Sequence, residues 1–66
     1  MRVILRIKEV RQQQGLTLEK LAMLSNVSIA HLSYLERGEK DPTLTVLCRI
    51  AMALKVKCED LYEIEK

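Results

Sequence analysis

The chain contains no phenylalanine and no tryptophan, and its only aromatic residues are Tyr34 and Tyr62. Whatever core it builds is aliphatic. Two glycines and one proline in 66 residues are too few chain breakers for the turns of a β-sandwich or barrel, which points to an all-α chain. Cys48 and Cys58 stand ten positions apart with no CxxC pair, and there is a single histidine. A zinc site therefore lacks ligands at any usual spacing, and the cysteines read as small, reduced apolar residues. No apolar run approaches the ~20 residues of a membrane span. Val3-Ile4-Leu5 is also too short for the apolar region of a signal peptide, and no small-residue cleavage site follows it. The expectation is one cytoplasmic domain over residues 1–66, because a chain this short supports a single core.

Catalytic equipment is equally scarce. Gly15 and Gly38 are isolated, so no glycine-rich phosphate loop exists, and no Ser/His/Asp set converges. Glu59 and Asp60 are adjacent; on a helix they diverge and serve its dipole rather than act as a pair. An enzyme is not expected, nor a cofactor, a metal or a small-molecule ligand. Charge is the more informative quantity. Residues 1–57 hold ten Lys/Arg against five Asp/Glu, whereas residues 58–66 hold four acids against Lys66. The net +2 thus divides into a +5 body and a −3 end, a balance suited to a polyanion approached from one side.

Periodicity and capping residues predict five short helices. Val3, Ile7 and Val10 share a face of the first, which Gly15 ends. Thr17 caps the second, with Leu18, Leu21 and Ala22 as apolar positions. Ser28 caps the third, which buries Leu32 and Leu35 and closes at Gly38. Thr43 caps the fourth, whose stripe is Leu44, Leu47, Ile50, Ala51 and Leu54. A last helical segment starts at Cys58 and carries Leu61 and Tyr62. Between Thr17 and Gly38 two capped helices are joined by three or four residues, the length of a helix-turn-helix. Val27 plugs that turn, and Ile29, Ala30, Ser33, Tyr34 and Arg37 remain on the outward face of the third helix.

These residues resemble the DNA-binding domain of the phage-repressor/Cro (XRE) family. The match runs through Arg6-Ile7-Lys8-Glu9-Val10-Arg11, Gly15-Leu16-Thr17, Leu21-Ala22, Asn26-Val27-Ser28, Leu35-Glu36-Arg37-Gly38, Asp41-Pro42-Thr43-Leu44, Ile50-Ala51 and Ala53-Leu54. The resemblance implies a lambda-repressor-like fold in which helices 2 and 3 form the helix-turn-helix. It also implies a transcriptional regulator, a repressor in kind, that binds duplex DNA with a recognition helix over about 28–37 in the major groove. Carried over by position, Ile29, Ala30, Ser33 and Tyr34 face the bases. Thr17 and Ser28 meet phosphate oxygens at helix N-termini, and Arg37 and Lys40 contact the backbone. The family's helix 1–helix 3 ion pair maps to Arg11 and Glu36. Leu18 occupies a position where many relatives carry a DNA-contacting Gln, and it neither donates nor accepts. With Ile29 and Ala30 offering only apolar contact, the expected half-site leans to A·T, since bidentate guanine readout needs Arg or Lys. The alternative is a protein-interaction module of the same fold, which an apolar Leu18–Ile29–Ala30 face also suits. Val46, Met52 and Ile64 lie off the core stripe, and Val3-Ile4-Leu5 exceeds what one helix face needs. Together they suggest a two-fold patch and a homodimer on DNA.

Overall fold

Three hydroxyls start three helices. Thr17, Ser28 and Thr43 each have extended backbone and each accepts, through its side-chain oxygen, the amide three residues on: Lys20, His31 and Val46, all at 3.1 Å. Each cap satisfies an amide that the first helical turn leaves without a partner. The computed structural model describes residues 1–66. In chain order it has β1 (Arg2–Leu5), α1 (Ile7–Gln13), α2 (Leu18–Ser25), α3 (Ile29–Glu36), α4 (Leu44–Leu54), a 3-10 turn (Cys58–Leu61) and β2 (Tyr62–Glu65).

The helix ends are as specific as the starts. Gly38 takes φ +73° after α3, so that its amide reaches Leu35 O at 3.1 Å and the Glu39 amide reaches Tyr34 O at 2.9 Å. This pair of bonds is a Schellman closure, which demands left-handed backbone. Between α2 and α3, Asn26 supplies the left-handed residue at φ 57°, a conformation its short polar side chain tolerates. The turn is thus Asn26-Val27-Ser28, with Val27 buried beneath it.

Four helices are present, not five. The expected fifth helix is a single 3-10 turn, after which Tyr62–Glu65 extends and pairs antiparallel with β1. Tyr62-Glu63-Ile64-Glu65 alternates apolar and acidic residues with period two, a strand pattern. The N-terminal part of the expected first helix is strand as well: α1 begins at Ile7 and Val3 lies in β1. Arg2–Leu5 is rich in β-branched residues, but only its partner at the other end of the chain makes it a strand. The register is Arg2 with Glu65, Val3 with Ile64, Ile4 with Glu63 and Leu5 with Tyr62.

The core is aliphatic: Ile7, Leu21, Val27, Leu32, Leu35, Leu47, Ile50, Ala51, Leu54 and Leu61 are buried together. Leu61 comes from the 3-10 turn and is fully buried, and its carbonyl accepts the Arg6 amide at 2.7 Å. The residue that closes the core from the C-terminal side therefore also anchors the start of α1. Val46, expected outside the core, packs against it half-buried. Leu61→Ala should lower stability by about 2–5 kcal/mol, a large part of the total available to a chain of this size. Urea denaturation followed by circular dichroism measures this; a loss below about 1 kcal/mol would show that the turn is not part of the core.

Candidate nucleic-acid interface

The orientation of α3 is set by a polar contact as well as by packing. Leu32 and Leu35 hold one side of α3 in the core with no exposure. At its end, Glu36 receives a forked pair of hydrogen bonds from Arg11 on α1, from Nε to Oε2 at 2.8 Å and from Nη2 to Oε1 at 3.1 Å. Arg11 Nη1 also donates to Leu16 O at 2.7 Å, in the turn between α1 and α2. Only 12% of the Arg11 side chain and 7% of Glu36 remain exposed, so this pair is little screened by water. The Glu36 hydrogen bonds hold Arg11 above its already high ordinary pKa, and the partial burial that opposes them is the smaller influence. One guanidinium therefore joins α1, the α1–α2 turn and α3.

The opposite face of α3 is open. Ser28, Ile29, Ala30, Tyr34 and Arg37 are exposed, while His31 and Ser33 are half-buried. Ile29 and Tyr34 are the large side chains on this face, at 46% and 37% exposure. Thr17 and Ser28 are exposed too. Because each hydroxyl oxygen accepts a helix amide, its own proton remains free to be donated outward. A hydroxyl at a helix N-terminus, beside unpaired amides and the positive end of the helix dipole, is suited to an anionic oxygen. Leu18 is half-buried against the core, which leaves only part of it on this surface.

Three of the expected site residues form a unit that the sequence treats as separate. Two cations lie over the Tyr34 ring, with the Arg37 guanidinium carbon 5.1 Å and Lys40 Nζ 5.0 Å from its centroid. Arg37 Nη1 donates to Ser33 Oγ at 2.8 Å, and Arg37 Nε pairs with Glu39. Arg37 is three residues beyond Tyr34, a spacing readable on a helix. Lys40 lies past the end of α3, and the closure at Gly38 turns the chain back so that it reaches the ring. A cation held over an aromatic face gives up less freedom on meeting a phosphate than one on a free stem.

The charge division of the sequence is altered by the fold. β2 brings the acidic end back onto the basic body, where Glu65 pairs with Arg2 at 3.2 Å and Glu63 pairs with Arg6. Arg2 and Arg6 are thereby occupied. Gln14 also has a role the sequence did not signal: its Nε2 donates to Leu54 O at 2.7 Å, tying the end of α1 to the last turn of α4. No three Cys, His, Asp or Glu side chains cluster as metal ligands would, and no helix is long and apolar enough to cross a membrane.

Known proteins place these features in context. The helix-turn-helix family HTH_3 matches residues 7–61. The chain is 36% identical over 63 residues to the HTH-type transcriptional regulator DdrOP3 of Deinococcus deserti, covering 96% of this chain and 49% of that protein. It is 44% identical over 50 residues to the HTH-type transcriptional regulator SutR of Escherichia coli, covering 76% of this chain and 28% of that protein. The chain thus spans half or less of the length of these curated relatives. Among solved structures it is similar to the restriction-modification controller protein C.AhdI of Aeromonas hydrophila, with a TM-score of 0.81, 31% identity and 83% of each chain covered. The clp gene regulator ClgR of C. glutamicum is similar at a TM-score of 0.78 and 36% identity, covering 83% of this chain and 71% of that one.

Removing either partner of the forked ion pair strands the other charge in a poorly hydrated position. Arg11→Ala and Glu36→Ala should each cost about 3–5 kcal/mol, and the double substitution should cost clearly less than the sum of the two. A double-mutant cycle by denaturant unfolding tests this. Additive single effects would mean that the two side chains do not act as a pair.

Proposed function

The chain belongs to the HTH_3 helix-turn-helix family, and from that premise we propose that it is a transcriptional regulator binding duplex DNA in a sequence-dependent way, with α3 in the major groove. The observation that carries this reading is the open face of α3. It presents apolar and single-hydrogen-bond groups where bases would lie, with the Ser28 N-cap hydroxyl at its start and two cations held on one ring at its end. The relatives named as transcriptional regulators support it. In this arrangement Ile29, Ala30, Ser33 and Tyr34 meet base edges, Leu18 contributes apolar contact, and Thr17, Ser28, Arg37 and Lys40 meet phosphates. The binding unit covers residues 1–66, including the sheet that lies outside the matched 7–61. Neither a metal nor a cofactor enters this reading. The known relatives do not favour a protein-only binding module.

The reading makes distinct demands on three side chains. Arg37→Ala should weaken all sequences alike and flatten the slope of log affinity against log salt by about one per half-site. Tyr34→Phe keeps the ring with its two cations and loses only the hydroxyl, so it should relax preference at one base position. Tyr34→Ala also releases Arg37 and Lys40, so it should lower affinity for every site. Selection from a random duplex pool, followed by fluorescence anisotropy across a salt series, separates these effects. Enriched half-sites should lean to A·T under Ile29 and Ala30. Guanine-rich half-sites there would refute the contact assignment, and binding indifferent to salt would refute DNA binding itself.

A homodimer on DNA is part of the same proposal. Val3 and Ile64 are paired in register on one face of the sheet and are about half exposed. Beside them a groove is lined by Met1, Val3, Leu5, Pro42, Leu44 and Tyr62, with Leu44 74% exposed. Exposed apolar side chains grouped this way mark a contact surface. Two copies joined there would present two α3 helices to half-sites about 34 Å apart. Sedimentation velocity with a two-half-site duplex should show two chains per duplex, and Val3→Asp should reduce this to one. A single wild-type chain on such a duplex would exclude the dimer.

A further inference from the structure

Cys48, midway along α4, and Cys58, the first residue of the 3-10 turn, bring their sulfur atoms to 3.2 Å. Both are free thiols and both are half-buried. The chain reverses between them because Lys55 takes left-handed backbone at φ 58°, and this lays the C-terminal turn against α4. Neither thiol lies on α2 or α3, so the proposed DNA contacts leave the pair without a role. A disulfide bond is about 2.05 Å long, so the sulfurs need to approach by only about 1.2 Å. The Cys48 hydrogen bond, then burial, pushes the Cys58 thiol above its ordinary pKa, with Cys48 and Glu59 charges adding to the effect. Cys58 is therefore held toward its neutral thiol form rather than as an activated thiolate.

We propose that Cys48 and Cys58 are a thiol–disulfide site, closed by hydrogen peroxide or a related peroxide and reopened by a dithiol reductant. One sulfur, on losing its proton, attacks a peroxide oxygen; the O–O bond breaks, leaving a sulfenic acid and releasing water. The second sulfur then attacks the first, the S–OH bond breaks, and a second water leaves with the remaining thiol proton. Two thiols and one peroxide give one disulfide and two waters: the sulfurs lose two electrons and the peroxide gains them. A second sulfur already in contact favours ring closure over further oxidation of the sulfenic acid. The product ties α4 to the turn that carries Leu61 and leads into β2, and it removes freedom from the unfolded chain.

The sequence suits a direct test. Trypsin cuts after Lys40, Arg49 and Lys57, placing Cys48 in peptide 41–49 and Cys58 in peptide 58–66, neither of which contains methionine. After peroxide treatment, alkylation and digestion, the two peptides should appear joined and unalkylated, at a mass about 2 Da below their sum. The intact chain should remain monomeric on non-reducing electrophoresis, and its Tm should rise by about 5–15 °C. Dithiothreitol should reverse both changes, and Cys48→Ser should abolish them. Three outcomes would overturn the proposal: both cysteines still open to alkylation after peroxide, oxygen added to either peptide in place of the link, or a disulfide joining two chains.

Discussion

Arg11 holds a position on which the rest of the architecture depends. A core of Leu, Ile, Val and Ala, with no aromatic ring buried in it, supplies most of the cohesion. Hydrophobic burial, however, is non-directional and tolerates rotation of a short helix about its axis. α3 is eight residues long and buries only Leu32 and Leu35. The forked bond from Arg11 to Glu36 has a direction, and it adds the angular restraint that two leucines lack. Because the same guanidinium binds Leu16 O, the turn leading into α2 is restrained by the same atoms. The two helices of the motif thus take their relative placement partly from a residue outside both.

The sheet solves a different problem. α1 is seven residues long, marginal as a helix on its own, and its first buried residue, Ile7, is also its first residue. The bond from the Arg6 amide to Leu61 O fixes the point where β1 gives way to α1. The ion pairs flanking the strands, Arg2 with Glu65 and Arg6 with Glu63, are exposed and add little energy individually. Their larger consequence is for charge. They neutralise two cations of the basic body, and Glu39 likewise pairs with Arg37, which leaves Lys40 as the cation on the Tyr34 ring without a carboxylate partner. Around Tyr34, positive charge is gathered by an aromatic ring at the very end of α3, where the helix hands over to its left-handed closure.

How much of this was legible depended on sequence range. The caps at Thr17, Ser28 and Thr43, the closures at Gly15 and Gly38, and the stripe Leu47, Ile50, Ala51, Leu54, without the expected Leu44, which is 74% exposed at the first turn of α4, are set by residues within four positions of each other. Local rules therefore read them correctly. The open face of α3 follows from the same periodicity, because burying Leu32 and Leu35 leaves Ile29, Ala30, Ser33 and Tyr34 on other sides. The strands are not readable from local pattern because Arg2–Leu5 and Tyr62–Glu65 are short and lie at opposite ends of the chain. Each alone is compatible with a frayed helix, and only their pairing satisfies their backbone groups as a sheet. Lys40 on the Tyr34 ring, Gln14 on Leu54 and Cys48 against Cys58 were hidden for the same reason: the chain reverses between the partners.

By itself, then, the amino-acid sequence determined an aliphatic, mainly helical chain, the helix-turn-helix at its centre, and the faces its helices bury. Those properties rest on intrinsic backbone preference, capping and a 3.6-residue period, all of which act within a turn or two. The tertiary structure alone decided that the two ends form a sheet, that the acidic end covers part of the basic body, and that two cysteines ten residues apart touch. Such contacts depend on how the chain closes on itself, and their free energy appears only after the intervening helices have packed.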